Sequence, residues 1–206
     1  MVDRLKEAVG SAGTSAAQGR DRRLFGRFRR SQDGSAAVEF AFVITPFLML
    51  AWAIIETGMM FWTNQILEDA VSKASRLLLT GESRTQYASK DPLVNTAAFR
   101  DAVCGVAPTL IDCSKLAIDV RAYSSFGDAD SGTSSGNPIA SGNIDTRDFS
   151  YRQPNADQIV VVRAVLDYKL LLTGWASTGL ANIGGANSGR RGIVVSAAFR
   201  TEPYTQ

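Results

Sequence analysis

The chain has 206 residues, enough for one ordinary domain with appendages, and its 22 bases nearly balance its 20 acids, so net charge suggests no nucleic-acid partner. It has two cysteines and no histidine. That removes the commonest general base and metal ligand, excludes Ser-His and Cys-His nucleophile pairs, and leaves too few ligands for an ordinary zinc site. No phosphate-cradling, dinucleotide-binding or nucleophile-elbow motif is present. The expectation is a protein that is not an enzyme and carries no cofactor and no metal.

Charge is segregated along the chain. Residues 1–34 hold eight bases (Arg4, Lys6, Arg20, Arg22, Arg23, Arg27, Arg29, Arg30) and four acids, a net of +4. Residues 35–62 hold no base and two acids, Glu39 and Glu56, while residues 63–206 are balanced. The order is a basic head, an apolar bar and a neutral body. Within the head, GSAGTSAAQG reads as a flexible stretch.

The bar begins at GSAAVEF, Gly34 to Phe40, and Phe40–Ile55 then runs sixteen residues without a charge. Val38–Trp62 is long enough to cross a hydrocarbon core, and it is apolar all round rather than along one stripe, as a lipid-embedded helix is. A signal peptide would have a shorter apolar run followed by an A-x-A-like site; here the small residues Gly34–Ala37 precede the run. Arg20 to Arg30 fix the N-terminus in the cytoplasm, and Phe61 and Trp62 suit the outer headgroup level. Pro46 frees the carbonyl of Phe42, giving either an ordinary kink or a local unwinding.

Both acids of the bar are costly in hydrocarbon. Glu39, near the cytoplasmic edge, either sits among headgroups or has a charged partner. Glu56, about 100° around the helix from Glu39, either sits at the outer headgroup level or meets a base on another subunit.

Beyond Trp62, Ile66, Ala70, Ala74, Leu77 and Leu78 recur at helical spacing, and Gly81 suits a stop. One helix from about Ser35 to Thr80 is predicted, apolar first and amphipathic after. Asn95 or Thr96 would cap a short helix ending at Gly105. LAIDVRAY, Leu116–Tyr123, alternates as a strand, with Leu116, Ile118, Val120 and Ala122 on one side and Asp119 and Arg121 on the other. Residues 124–150, rich in Gly, Ser and Asp, read as a long loop. Asp128-Ala-Asp130-Ser-Gly132 within it lacks the spacing of a calcium loop and reads as a solvated segment. Gln158–Leu172 reads as a strand that either continues or turns helical near Leu166, and Gly192–Glu202 as a final strand. The fold class is α+β: a long N-terminal transmembrane helix continuing into a small domain with an antiparallel sheet of about three strands. Cys104 and Cys113 lie nine apart on the far side of the membrane, an oxidising compartment that favours a disulfide over two independent thiols.

The basic FRR, the run Gly34-Ser-Ala-Ala-Val-Glu39-Phe40 and the apolar segment after it resemble a class III prepilin signal. More narrowly, GSAAVEFAFVITPFLMLAWAIIETGMMF resembles the TadE-like minor pilins of the Flp (Tad) pilus system, and AAFRTEPY, Ala197–Tyr204, is similar to the end of that family. The resemblance implies cleavage between Gly34 and Ser35 by a prepilin peptidase and an assembly role for Glu39 and Phe40. Glu39 would then be the fifth residue of the mature chain, one turn from a new amine. Major Flp pilins are short and carry Glu-Tyr where this chain has Glu39-Phe40, which favours a minor pilin.

The domains implied are a cytoplasmic leader over 1–34, a transmembrane helix over 35–62 and a periplasmic domain over 63–206. The implied partners are the bacterial inner membrane, major and minor pilins, the prepilin peptidase and the pilus assembly platform, with adhesion as the outcome of piliation and no nucleic acid. The alternative is an uncleaved single-pass envelope protein with a partner- or ligand-binding periplasmic domain.

Overall fold

The structure, a computed structural model, describes residues 33–106, 111–133, 137–139, 142–171 and 179–203. The basic leader, the GSAGTSAAQG stretch and Tyr204 lie outside the described residues. The chain forms two compact units, 1–53 and 54–206.

Helix α1, Asp33–Leu79, is the expected long helix and includes Pro46. Thr45 Oγ1 donates to the carbonyl of Ala41 at 2.6 Å, just ahead of the proline. The helix gives way at Thr80, and Gly81 takes φ +80°, the left-handed conformation glycine adopts without penalty at a helix end.

In the second unit, α1 buries a single stripe. Leu67, Ala70, Val71, Ala74 and Leu78 are core residues, with Met60, Ile66 and Leu77 packed against them. Their spacing of three and four residues places them along one face. The short helix α2, Ser83–Gln86, follows and lies outside the predicted elements.

Helix α3, Pro92–Val106, starts earlier than predicted. Its first turn is capped by Asp91, whose carboxylate accepts from the Leu93 N–H at 2.9 Å. Asn95 and Thr96 are therefore inside the helix and not at its cap. Thr96 donates to the Pro92 carbonyl at 2.8 Å, and buried Asn95 pairs with both backbone groups of Ser89, at 2.8 and 3.2 Å. Pro at the first helical position loses no hydrogen bond, and that outweighed the two later cap candidates. Cys104 of α3 is joined by a disulfide to Cys113, which opens the 3-10 turn Cys113–Lys115.

Strands β1, Leu116–Tyr123, β2, Ile159–Lys169, and β3, Arg190–Arg200, form an antiparallel sheet in the order β1-β2-β3. The register aligns Leu116 with Leu166 and Leu166 with Ile193, so the apolar positions of all three strands share one face. That face completes the core with α1 and α3, and Phe99, Tyr87 and Tyr151 close one side at centroid distances of 5.9 to 6.5 Å. Burial raises the pKa of both tyrosines. Strand β2 is shorter than predicted at both ends and stays a strand past Leu166, while β3 starts two residues earlier than predicted and ends at Arg200, two residues before Glu202.

The second sheet face is also covered. Helix α4, Phe126–Thr133, occupies part of the predicted loop. Ser125 Oγ accepts from the Asp128 N–H at 3.1 Å and Ser124 donates to the Asp128 carboxylate at 2.6 Å, so Asp128 serves the helix start rather than a solvated loop. These contacts hold the Asp128 carboxyl below its ordinary pKa. Residues 149–152 return along the outer edge of β1, where Val120 N–H donates to the Ser150 carbonyl and Arg152 N–H to that of Val120. Strand β1 is thereby shielded from further pairing. A Cβ at Gly192 would stand 2.8 Å from Ile139 and 3.0 Å from Ile183, so the covering layer meets β3 at a residue without a side chain.

Asp119, on the side of β1 opposite Leu116, Ile118 and Val120, is 1 % exposed under this layer. Its carboxylate accepts from Arg121 at 3.1 Å, Arg163 at 3.0 Å and the Ser150 N–H at 3.0 Å. Arg163 also lies 5.8 Å from the Phe149 ring centroid. One acid thus ties β1, β2 and the returning segment together. Replacing Asp119 with Ala should cost about 3 kcal/mol, because two arginines and a buried N–H lose a shared acceptor. Asp119→Asn should cost less. Chemical unfolding of both variants checks the order. Opening the Cys104–Cys113 loop should cost about 2–3 kcal/mol in the chain-entropy picture, read as a lower unfolding midpoint under reductant.

Candidate functional site

The residues singled out at the start of α1 lie on an exposed helix face. Phe40, Phe42, Val43, Phe47, Leu48 and Leu50 are exposed, and the most apolar window of the helix is unburied. A helix that is apolar on every side and left uncovered by the other described residues suits lipid or another apolar helix. The helix is long and apolar enough to cross a membrane.

Near its first turn, Ser35 Oγ donates to Glu39 Oε1 at 3.0 Å. The two residues are four apart, so the helical repeat places them on one face a single turn from each other. Gly34 precedes them, and a Cβ at Gly34 would meet nothing within 4 Å. Ala37, Val38, Ala41, Phe42, Thr45 and Pro46 border a shallow apolar groove on the same part of the helix. Small residues let a neighbouring backbone approach, and the groove follows from Ala37 and Ala41 standing beside longer side chains.

Residues 34–76 match the family model described as TadE-like protein. The TadE-like segment begins at Gly34, takes in Glu39, Phe40, Pro46 and Glu56, and stops short of the sheet. It associates the chain with the Tad pilus system and, generally, with pilus components. Comparison with curated proteins and with solved structures returned no match.

At the other end of the segment, Phe61 and Trp62 are exposed, at 63 % and 61 %. Glu56 is 1 % exposed and belongs to the unit that begins at Ile54, so its carboxylate is enclosed by its own domain. Counting back from Leu67 in steps of three and four gives Thr63, Met60 and Glu56, so the acid continues the buried stripe. The stripe could have been extended backwards in the sequence, but the lack of charge from Phe40 to Ile55 drew the boundary at Trp62 instead.

Glu56 and Thr63 both act on Tyr168 of β2. Burial raises the Tyr168 pKa most, the nearby Glu56 charge raises it further, and the Thr63 hydroxyl opposes them. A raised phenol pKa contributes stability that is complete below the unfolded value near 10 and is lost as pH rises through the folded value. The domain should therefore weaken in strong alkali as Tyr168 ionises. Glu56→Gln should move that titration back toward 10, seen in the phenolate absorbance and assigned by its loss in Tyr168→Phe.

Proposed function

We propose that this chain is a minor pilin of a Flp (Tad) pilus: an inner-membrane protein processed after Gly34, oriented with its N-terminus in the cytoplasm and its sheet domain in the periplasm. It acts by binding rather than catalysis, packing its apolar helix among other pilins to help initiate or extend the filament, with surface adhesion as the consequence. The observation that carries this reading is the TadE-like match over residues 34–76, which begins at the glycine preceding Ser35 and Glu39.

The chemistry of the helix start supports it. Cleavage between Gly34 and Ser35 would leave a positively charged amine at a helix N-terminus, where the macrodipole disfavours it. Glu39, one turn away and already on the Ser35 face, offsets that charge within its own helix or in a neighbouring one. A pairing between neighbours would fix axial register, because the carboxylate must lie level with the amine. Exposed Phe40 beside Glu39 adds apolar contact at the same level.

N-terminal sequencing of the protein extracted from membranes should begin at Ser35, and a bulky residue at Gly34 should preserve the leader. A mature chain that keeps Met1 would favour the uncleaved envelope anchor. Glu39→Ala should remain membrane-bound. With an amine left half-satisfied at the hydrocarbon edge, a loss of about 2 kcal/mol should reduce assembled filaments at least about tenfold. Filament counts by electron microscopy at matched expression check this, and normal piliation would end the pairing role.

A further inference from the structure

The sheet has one end at the foot of the second unit's helix. Tyr168, near the end of β2, is influenced by Glu56 and Thr63 of α1. Arg191 and Ile193, at the start of β3, share a groove with Met60, Phe61 and Asn64. At the opposite end, the Glu202 N–H donates to the Leu79 carbonyl at 3.0 Å. Strand β3 therefore runs alongside α1 in the same direction, and its first residues stand level with the segment around Met60.

That end is basic. Lys169 pairs with Arg190 in the β2–β3 register, and Arg191 follows on the helix-facing side. Lys115, just before β1, joins Lys169, Ser188 and Arg190 around an open cleft of about 430 Å³. Three acids temper the charge: Asp167 holds Arg190, Asp112 accepts from Ser114, and Glu56 lies near Tyr168, while Arg191 donates to the Leu180 carbonyl at 2.7 Å. Lys115 and Lys169 are exposed at the rim. Around the same level, Phe61, Trp62 and Leu171 are exposed apolar residues. Aromatic rings and long basic side chains side by side make up the composition of a membrane interface, where rings sit at headgroup depth and lysines reach phosphate.

We propose that this end of the sheet rests on the bilayer surface and binds the phosphate of anionic phospholipid headgroups through Lys115 and Lys169, with Arg190 beside them in the same cleft. The inference rests on the membrane-anchored reading of α1. It gives the domain a preferred lipid, recognised by the basic end of its sheet. A neutral overall charge does not oppose this, since only the charges within a Debye length of the surface count. The same contact would hold the subunit in the membrane before assembly and would be given up when it leaves.

The test uses the full chain in micelles containing equal phosphatidylglycerol and phosphatidylcholine, with co-purified lipid counted by mass spectrometry. The wild type should retain phosphatidylglycerol in preference, and Lys115→Glu with Lys169→Glu should reduce that preference at least about fivefold, as loss of two surface lysines predicts. The basic leader is common to both proteins and cancels. Lys115→Gln with Lys169→Gln should give an intermediate loss, and unchanged thermal melting would show that each variant is folded. An unaltered preference in folded variants overturns the proposal. So does equal competition by inorganic phosphate, which would mark a free-anion cleft instead of a lipid contact. Release of the wild type from membranes by alkaline carbonate would overturn the anchored reading itself, a separate failure.

Discussion

The buried stripe of α1 is the constraint on which the second unit depends. A helix offers one face to a sheet, and here that face runs from Glu56 through Met60, Thr63, Leu67, Ala70 and Ala74 to Leu78. Every strand register in the domain is compatible with it: Leu116, Leu166 and Ile193 align in one row, and Val120 and Val162 in another. A slip of one residue in β2 would turn Val160, Val162 and Ala164 away from the helix and bring Arg163 toward it, at a cost the domain could not bear. Before residue 54 the same helix has no such face, since its apolar side chains are exposed on every side. One element thus meets two requirements in succession, contact with an apolar surrounding and then contact with its own sheet.

The acids divide along the same line. Glu39 is exposed at the helix start, with Ser35 as its described hydrogen-bond donor, so it is open to a partner outside the chain. Glu56 is enclosed by its own domain and influences Tyr168, so its first task is internal. Asp119 is the third case, a buried carboxylate shared by two arginines and a backbone N–H. It holds the covering layer to the sheet and is remote in sequence from the TadE-like segment. The TadE-like match ends within the helix at residue 76, and the sheet is built from residues beyond it.

Much of this was legible in the residues themselves. The long helix, its stop at Gly81, the alternation of β1 and the approximate positions of β2 and β3 follow from spacing alone. The start of α3 was not, because Asn95 and Thr96 are equally good caps in isolation and only the packing of Asn95 against Ser89 makes Asp91 the start. Helix α4 carried a readable cue, Ser125 three residues before Asp128, but the surrounding Gly, Ser and Asp residues obscured it. The side shared by Asp119 and Arg121 was legible, but its covering was not. Alternation says which residues share a face, and it does not say whether a later segment will cover that face.

By itself, the sequence determined the apolar helix, the basic stretch before it, the glycine-to-glutamate spacing, the α+β class and the nearness of the two cysteines. Each is a property of neighbours along the chain, set by helical and strand periods or by local charge. The tertiary structure decided what distant residues do to one another. It enclosed Glu56, gave Asp119 two arginines from different strands, laid residues 149–152 along β1, and gathered Lys115, Lys169 and Arg190 around one cleft at the end of the sheet. These depend on strand register and on the direction of β3 relative to the helix. No local period encodes them, because they arise only when segments distant in the chain are brought together in one fold.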